Sequence, residues 1–164
     1  MGTIDRKPVA SILGLVAAQA LSLGAGLIGG LATASSVTTW YPALAKPAWT
    51  PPGWLFGPVW TLLYVMMGIA AWLVWHRAEE GRARCPLLLF VLQLLLNACW
   101  SFLFFGLRSP GLALVDIALL WFAIAATLWA FARVQGWAAL LLAPYLAWVS
   151  FAAALNLAIW RMNS

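Results

Sequence analysis

Charge is what this sequence has least of: four acidic and nine basic residues among 164, against a hydrophobic share of 65%. So little polar material cannot cover a water-facing domain, which excludes an ordinary soluble fold and leaves lipid as the solvent for most of the chain. Histidine is limited to His76 and cysteine to Cys85 and Cys99. Those two cysteines lie about 21 Å apart if their segment is helical, beyond disulfide reach, and no cluster with metal-ligand spacing exists, so no metal site is expected. The net charge of +5 is spread between apolar runs and forms no basic stripe, which argues against nucleic acid as a partner.

What the chain does have is apolar length. A bilayer core about 30 Å thick is crossed by about 20 helical residues, and five such runs are read at 9–34, 55–75, 86–107, 111–132 and 138–160. The expected fold is an all-α bundle of five transmembrane helices forming a single domain over 1–164. Arg6, Lys7 and Ala32-Thr33-Ala34 imitate a secretory leader, but the run they frame is longer than a signal core, so a retained first helix is expected. Six basic residues (Arg6, Lys7, Arg77, Arg82, Arg84 and Arg133) fall on one side of this topology and three (Lys46, Arg108 and Arg161) on the other. In a bacterial inner membrane this bias places the amino terminus in the cytoplasm. Span one carries Ala10, Gly14, Ala18, Ser22, Gly26, Gly30 and Ala34 at every fourth place, a ridge that permits close helix approach but winds around the helix by about 40° per step. Pro144 is expected to disturb the fifth span near its start.

The connection at 35–54, SSVTTWYPALAKPAWTPPGW, is too long for a turn, and prolines 42, 47, 51 and 52 forbid a continuous helix. Its Trp40, Tyr41, Trp49 and Trp54 suit either a lid folded over the bundle or an aromatic belt at the lipid interface. Polar groups inside the spans are few. Gln93, Asn97 and Trp100 share one helical face, Asp116 is the lone acid well inside a span, and Asn156 is the principal polar residue of span five. Such residues either bond helices together or mark a site; Asp116 is also the group a proton-coupled small-molecule exporter would need. Twelve tryptophans exceed what interface anchoring requires. Trp54, Trp75, Trp137 and Trp160 sit at span ends as anchors, whereas Trp60, Trp100 and Trp148 lie deeper. Large aromatics with one or two amides suit a flat, mostly apolar ligand.

The segments WYPALAKPAWTPPGWLFGPVWTLLY (40–64), QLLLNACW (93–100), FFGLRSPGLALVD (104–116) and PYLAWVSFAAALNLAIWR (144–161) resemble the translocator protein family, also called tryptophan-rich sensory proteins or peripheral-type benzodiazepine receptors. The resemblance implies a five-helix bundle, often a homodimer, whose cavity opens toward the first loop and binds porphyrins and drug-like isoquinoline or benzodiazepine ligands. Carried across, it places Tyr41, Trp60, Asn97, Trp100, Trp148, Ala152 and Leu155 around the ligand, Trp49 and Pro51 in the lid, and Ala147 at a helix-packing position. It implies sensing, sequestration or transport of a tetrapyrrole, with no required cofactor. The alternative it raises is light-dependent porphyrin breakdown using Trp60 and Trp148. Two departures stand out: Leu157 replaces the tyrosine of the cholesterol-recognition pattern, which argues against sterol binding there, and Leu112 replaces an aromatic common in animal relatives.

Overall fold

In lipid, each backbone N–H and C=O must find its partner within its own segment, so an apolar run that crosses a bilayer becomes a helix. The computed structural model describes residues 8–78 and 81–164 and consists, over those residues, of five long helices: α1 (Pro8–Val37), α2 (Gly53–Arg77), α3 (Arg84–Ser101), α4 (Pro110–Ala132) and α5 (Gly136–Met162). All five are long and apolar enough to cross a membrane, α3 counting together with a π-helical turn at Phe102–Gly106 that continues it. The five spans therefore stand where the hydrophobic runs put them, extended by up to three residues at several ends. The third ends at Gly106, one residue earlier than expected. Arg6, Lys7, Glu79 and Glu80 lie outside the described residues. Of the described basic residues, Arg77, Arg82, Arg84 and Arg133 fall at or beside the helix ends on one side of this helix order, and Lys46, Arg108 and Arg161 on the other.

The core lies among α2, α3, α4 and α5, where Met67, Ala70, Val74, Phe90, Ile124, Phe131, Leu142 and Tyr145 are sealed from the surroundings. Helix α1 packs on the outside of α2 and α3, and only Ser22, Gly29 and Ser36 of it are buried. Its small residues explain the fit. A Cβ on Gly14 would stand 2.3 Å from the Trp75 ring, and one on Gly26 2.5 Å from the Tyr64 ring, so these glycines are recesses into which aromatic rings of α2 seat. Ser22 Oγ donates to the Tyr64 carbonyl at 2.7 Å. The ridge then rotates off the contact, as its four-residue step dictates: Gly30 faces open space, and Gly29, against Ser101, takes over. Trp75 is accordingly a packing residue, unlike Trp54 and Trp137, which stand 73% and 68% exposed at helix ends in the manner of interface anchors.

Helix α5 runs unbroken through Pro144. Beside that proline an apolar groove of about 620 Å³ opens on the outer face, lined by Met66 of α2 and by Trp137, Leu140, Leu141, Ala143, Pro144 and Ala147. Ala147, expected at a packed helix contact, is exposed in this groove instead. Cys85 and Cys99 are free and exposed.

Candidate functional site

The site is built where α2, α3 and α5 face one another beneath the 38–52 connection. From α2, Phe56, Trp60 and Tyr64 recur every four residues and so project along one face. Trp60 stacks on Tyr64 with ring centroids 5.6 Å apart and meets Tyr145 of α5 edge-on at 6.2 Å. From α3, Asn97 accepts a hydrogen bond from the Tyr64 hydroxyl and donates from Nδ2 to the Tyr145 hydroxyl at 3.0 Å. One amide thereby ties three helices through two phenols, and Asn97 forms the floor of the site with its oxygen and its nitrogen each engaged once.

Above that floor stand two aromatic walls. On one, Trp148 of α5 meets Phe56 at 5.8 Å and Phe151 at 5.5 Å, and Trp49 of the connection lies edge-on to Phe151 at 5.7 Å. On the other, Trp100 stacks on Phe104 at 5.3 Å, and Trp40 and Tyr41 of the connection pack on Phe104 and Phe105. Leu155 is buried against this second wall, and Ala152 is buried in the adjoining core. The Trp100 indole packs against both the main core and the smaller buried set of Phe104, Ala113, Leu155 and Ile159, and donates to Asn156 Oδ1 at 3.0 Å, while Asn156 donates to the Pro110 carbonyl at 2.8 Å. Asn156 is thus a helix tie between α3, α4 and α5.

The π-helical turn makes the second wall possible. In an α-helix, neighbouring residues point about 100° apart; the wider turn at Phe102–Gly106 leaves Phe104 buried and Phe105 half-buried, both in contact with Trp100 and Tyr41. Such turns recur at functional sites. The turn is held by Ser36 Oγ, which donates to the Phe105 carbonyl at 2.7 Å, and it leads into Arg108 at a φ of 53°.

The connection is knotted by one cation. Lys46 Nζ donates to the carbonyls of Tyr41, Leu44 and Pro42 at 2.8, 2.8 and 3.2 Å, and lies 4.9 Å from the centre of the Tyr41 ring. Burial pushes the Tyr41 hydroxyl above its ordinary range, so the ring stays a neutral phenol beneath that ammonium. Trp40 and Tyr41 pack on Phe104 and Phe105 and Trp49, 50% exposed, packs on Phe151, whereas Trp54 is 73% exposed. Pro51 is half-buried in the connection, just before α2.

Four buried side-chain atoms have no hydrogen-bond partner among the described residues: Gln19 Oε1, Gln93 Oε1, Asp116 Oδ2 and Trp148 Nε1. Of these, Trp148 Nε1 belongs to the aromatic site. Asp116 is buried in α4, and Leu112 on the same helix is 54% exposed on its outer face. Among the described residues no three His, Cys, Asp or Glu side chains converge on one point.

Ring contacts and hydrogen bonds gather residues carried over by the resemblance into three groups: Trp60 and Asn97 with Tyr64 and Tyr145, Trp148 and Trp49 with Phe56 and Phe151, and Tyr41 and Trp100 with Phe104 and Phe105, with Leu155 buried beside the third group and Ala152 in the adjoining core. Phe56, Tyr64, Phe104, Phe105, Tyr145, Phe151 and Lys46 also build the site and were not singled out from the sequence. A signal existed for some of them. Phe56 and Tyr64 flank Trp60 at four-residue steps, and Tyr145 and Phe151 flank Trp148 at three, so each shares a face with a residue already chosen. Nothing in the sequence announces a π turn.

The TspO/MBR family model matches residues 18–161. The chain is 47% identical over 153 residues to the Tryptophan-rich protein TspO of Chlorobaculum tepidum, covering 93% of this chain and 97% of that protein. It is 46% identical over 154 residues to the protein of the same name from Archaeoglobus fulgidus, covering 94% and 99%. To the human Translocator protein it is 48% identical over 126 residues, 76% of this chain and 75% of that one. The family match, these identities and five helices long and apolar enough to cross a membrane lead to one conclusion: this chain is an integral membrane protein of the TspO/MBR family.

Proposed function

We propose that the aromatic side chains beneath the connection form a chamber that binds a porphyrin or a similar flat, mostly apolar tetrapyrrole, for sensing, sequestration or transport in a bacterial cell membrane. The observation that carries this reading is the Trp148 indole: its N–H is buried without a partner, while its ring lies between Phe56 and Phe151 with Trp49 beyond. An unpaired donor in apolar surroundings is costly to keep, and a ligand that brings a hydrogen-bond acceptor to that wall would relieve the cost. The opposite wall adds the half-buried rings of Trp100, Tyr41 and Phe105, which suit a wide planar ligand. The oxygen and nitrogen of the floor amide already hold tyrosine hydroxyls, so recognition relies mainly on shape and stacking. That composition fits a macrocycle better than an ion or a sugar.

The test is titration of the purified protein with protoporphyrin, followed by quenching of intrinsic tryptophan fluorescence. Saturable quenching is expected. Trp148→Phe, which keeps a ring but removes the donor, is expected to raise Kd by about three- to tenfold, and Trp148→Ala, which also removes the wall, by more. Linear, unsaturable quenching, or a Trp148→Ala protein that binds as the parent does, would count against the proposal.

A further inference from the structure

The carboxyl end of α5 holds the connection in a way the aromatic contacts do not. Asn163 presents its carboxamide edge to the backbone of Ala45: the Ala45 N–H donates to Asn163 Oδ1 at 3.0 Å, and Asn163 Nδ2 donates back to the Ala45 carbonyl at 2.9 Å. A carboxamide carries one acceptor and two donor hydrogens in a fixed plane, so it can pair with both polar groups of one residue as a neighbouring strand would. The same Nδ2 donates to the Ile159 carbonyl at 2.7 Å, one of the last carbonyls of α5, which the helix itself leaves unpaired. The clasp is thereby anchored to the helix that carries Trp148 and Phe151.

Its position gives it leverage. Ala45 lies between Tyr41, which packs on the π-turn wall, and Trp49, which packs on Phe151. It also adjoins Lys46, whose ammonium gathers the carbonyls of Tyr41, Pro42 and Leu44. The stretch from 41 to 46 is therefore one stiff unit, and Asn163 fastens that unit to α5 at a single residue. Both hydrogen bonds between Asn163 and Ala45 are exposed, where water competes for the same groups and opening is easy. A fastening that is geometrically specific yet weak in water suits a gate.

We propose that Asn163 is a positioning residue for the ligand chamber, clasping Ala45 to hold the connection closed, and that a tetrapyrrole enters and leaves only when this clasp opens. The proposal rests on reading the chamber as the tetrapyrrole site. The ligand meets the aromatic walls and not the clasp, so closed empty and closed loaded protein are stabilised equally by it. Removing the clasp then speeds both directions and leaves the equilibrium nearly unchanged.

The experiment compares the parent protein with Asn163→Ala in two measurements. The first is hydrogen–deuterium exchange of the ligand-free protein over residues 38–52; the second is stopped-flow quenching by protoporphyrin. Exchange over 43–46 is expected to be about tenfold faster in the variant. Association and dissociation rates are expected to rise together by a similar factor, with Kd moving by less than about twofold. Circular dichroism confirms that the helices are unchanged. Unaltered exchange would overturn the clasp. Faster exchange with unaltered rates would overturn its role in entry, and so would a change confined to dissociation. A parent protein that exchanges as expected but shows no saturable quenching would overturn the tetrapyrrole reading, and with it the gate, while leaving the clasp itself supported.

Discussion

Replacing Asn97 by leucine is expected to destabilise the bundle by about 2–3 kcal/mol, among the largest effects of any single polar residue in the chain. Interhelical hydrogen bonds in membranes average well under 1 kcal/mol each because the separated helices find other partners, so two lost bonds alone would not reach that figure. The larger part comes from what remains. Tyr64 and Tyr145 are buried against a dry core, and the Tyr64 hydroxyl would lose the acceptor it now uses on Asn97. A buried donor left without a partner costs about 1–3 kcal/mol. Thermal or denaturant unfolding in a fixed detergent measures the change; a leucine variant as stable as the parent would show that the two phenols re-pair. The effect should reach the ligand as well, since Trp60 stacks on Tyr64 and meets Tyr145.

The second large effect is steric. Gly26→Ala is expected to cost about 1–3 kcal/mol, while Gly24→Ala, two residues away on the same helix, is expected to be neutral or slightly stabilising. A Cβ on Gly26 would stand 2.5 and 2.6 Å from two carbons of the Tyr64 ring, whereas one on Gly24 meets nothing within 4 Å. The ring cannot easily withdraw, because its hydroxyl is held by Asn97 and its face by Trp60. At Gly24 the alanine only restricts the backbone and favours the helix by about 0.5–1 kcal/mol. Unfolding of the two variants side by side gives the comparison. Equal behaviour would mean that α1 does not seat on Tyr64. Because Tyr64 couples α1 to the floor of the chamber, Gly26→Ala should also weaken porphyrin quenching, a coupling absent at Gly24.

The helices were legible in the sequence because hydropathy and length alone decide what can cross a bilayer, and the five runs contain few charges to confuse the reading. Trp60, Trp100 and Trp148 were legible as interior residues from their distance to the span ends. The ridge on α1 announced close packing, although which glycines would serve depended on where a winding ridge meets its neighbour, and that requires the partner helix. The packing of Trp75 was not legible for the same reason: its recess is Gly14, sixty-one residues away in sequence. The candidate site was less legible. Its tyrosine-capped floor joins residues of three helices, and Asn97 announces a hydrogen bond without naming its partners. The π turn at Phe102–Gly106 leaves no composition signal, yet it sets the second wall. The knot around Lys46 and the clasp at Asn163 are contacts between side chains and loop backbone, whose geometry exists only once the prolines have fixed the path of the connection.

The central claim is that the walls beneath the connection, and not the outer surface of the bundle, receive the tetrapyrrole. An experimental structure of the complex with protoporphyrin decides it most directly. The macrocycle should lie between the Trp148–Phe151 wall and the Trp100–Phe104 wall, above Asn97 and under Trp49, with an acceptor facing Trp148 Nε1. A macrocycle seated in the outer groove lined by Met66, Trp137 and Pro144, with the chamber closed on its own side chains, would contradict it.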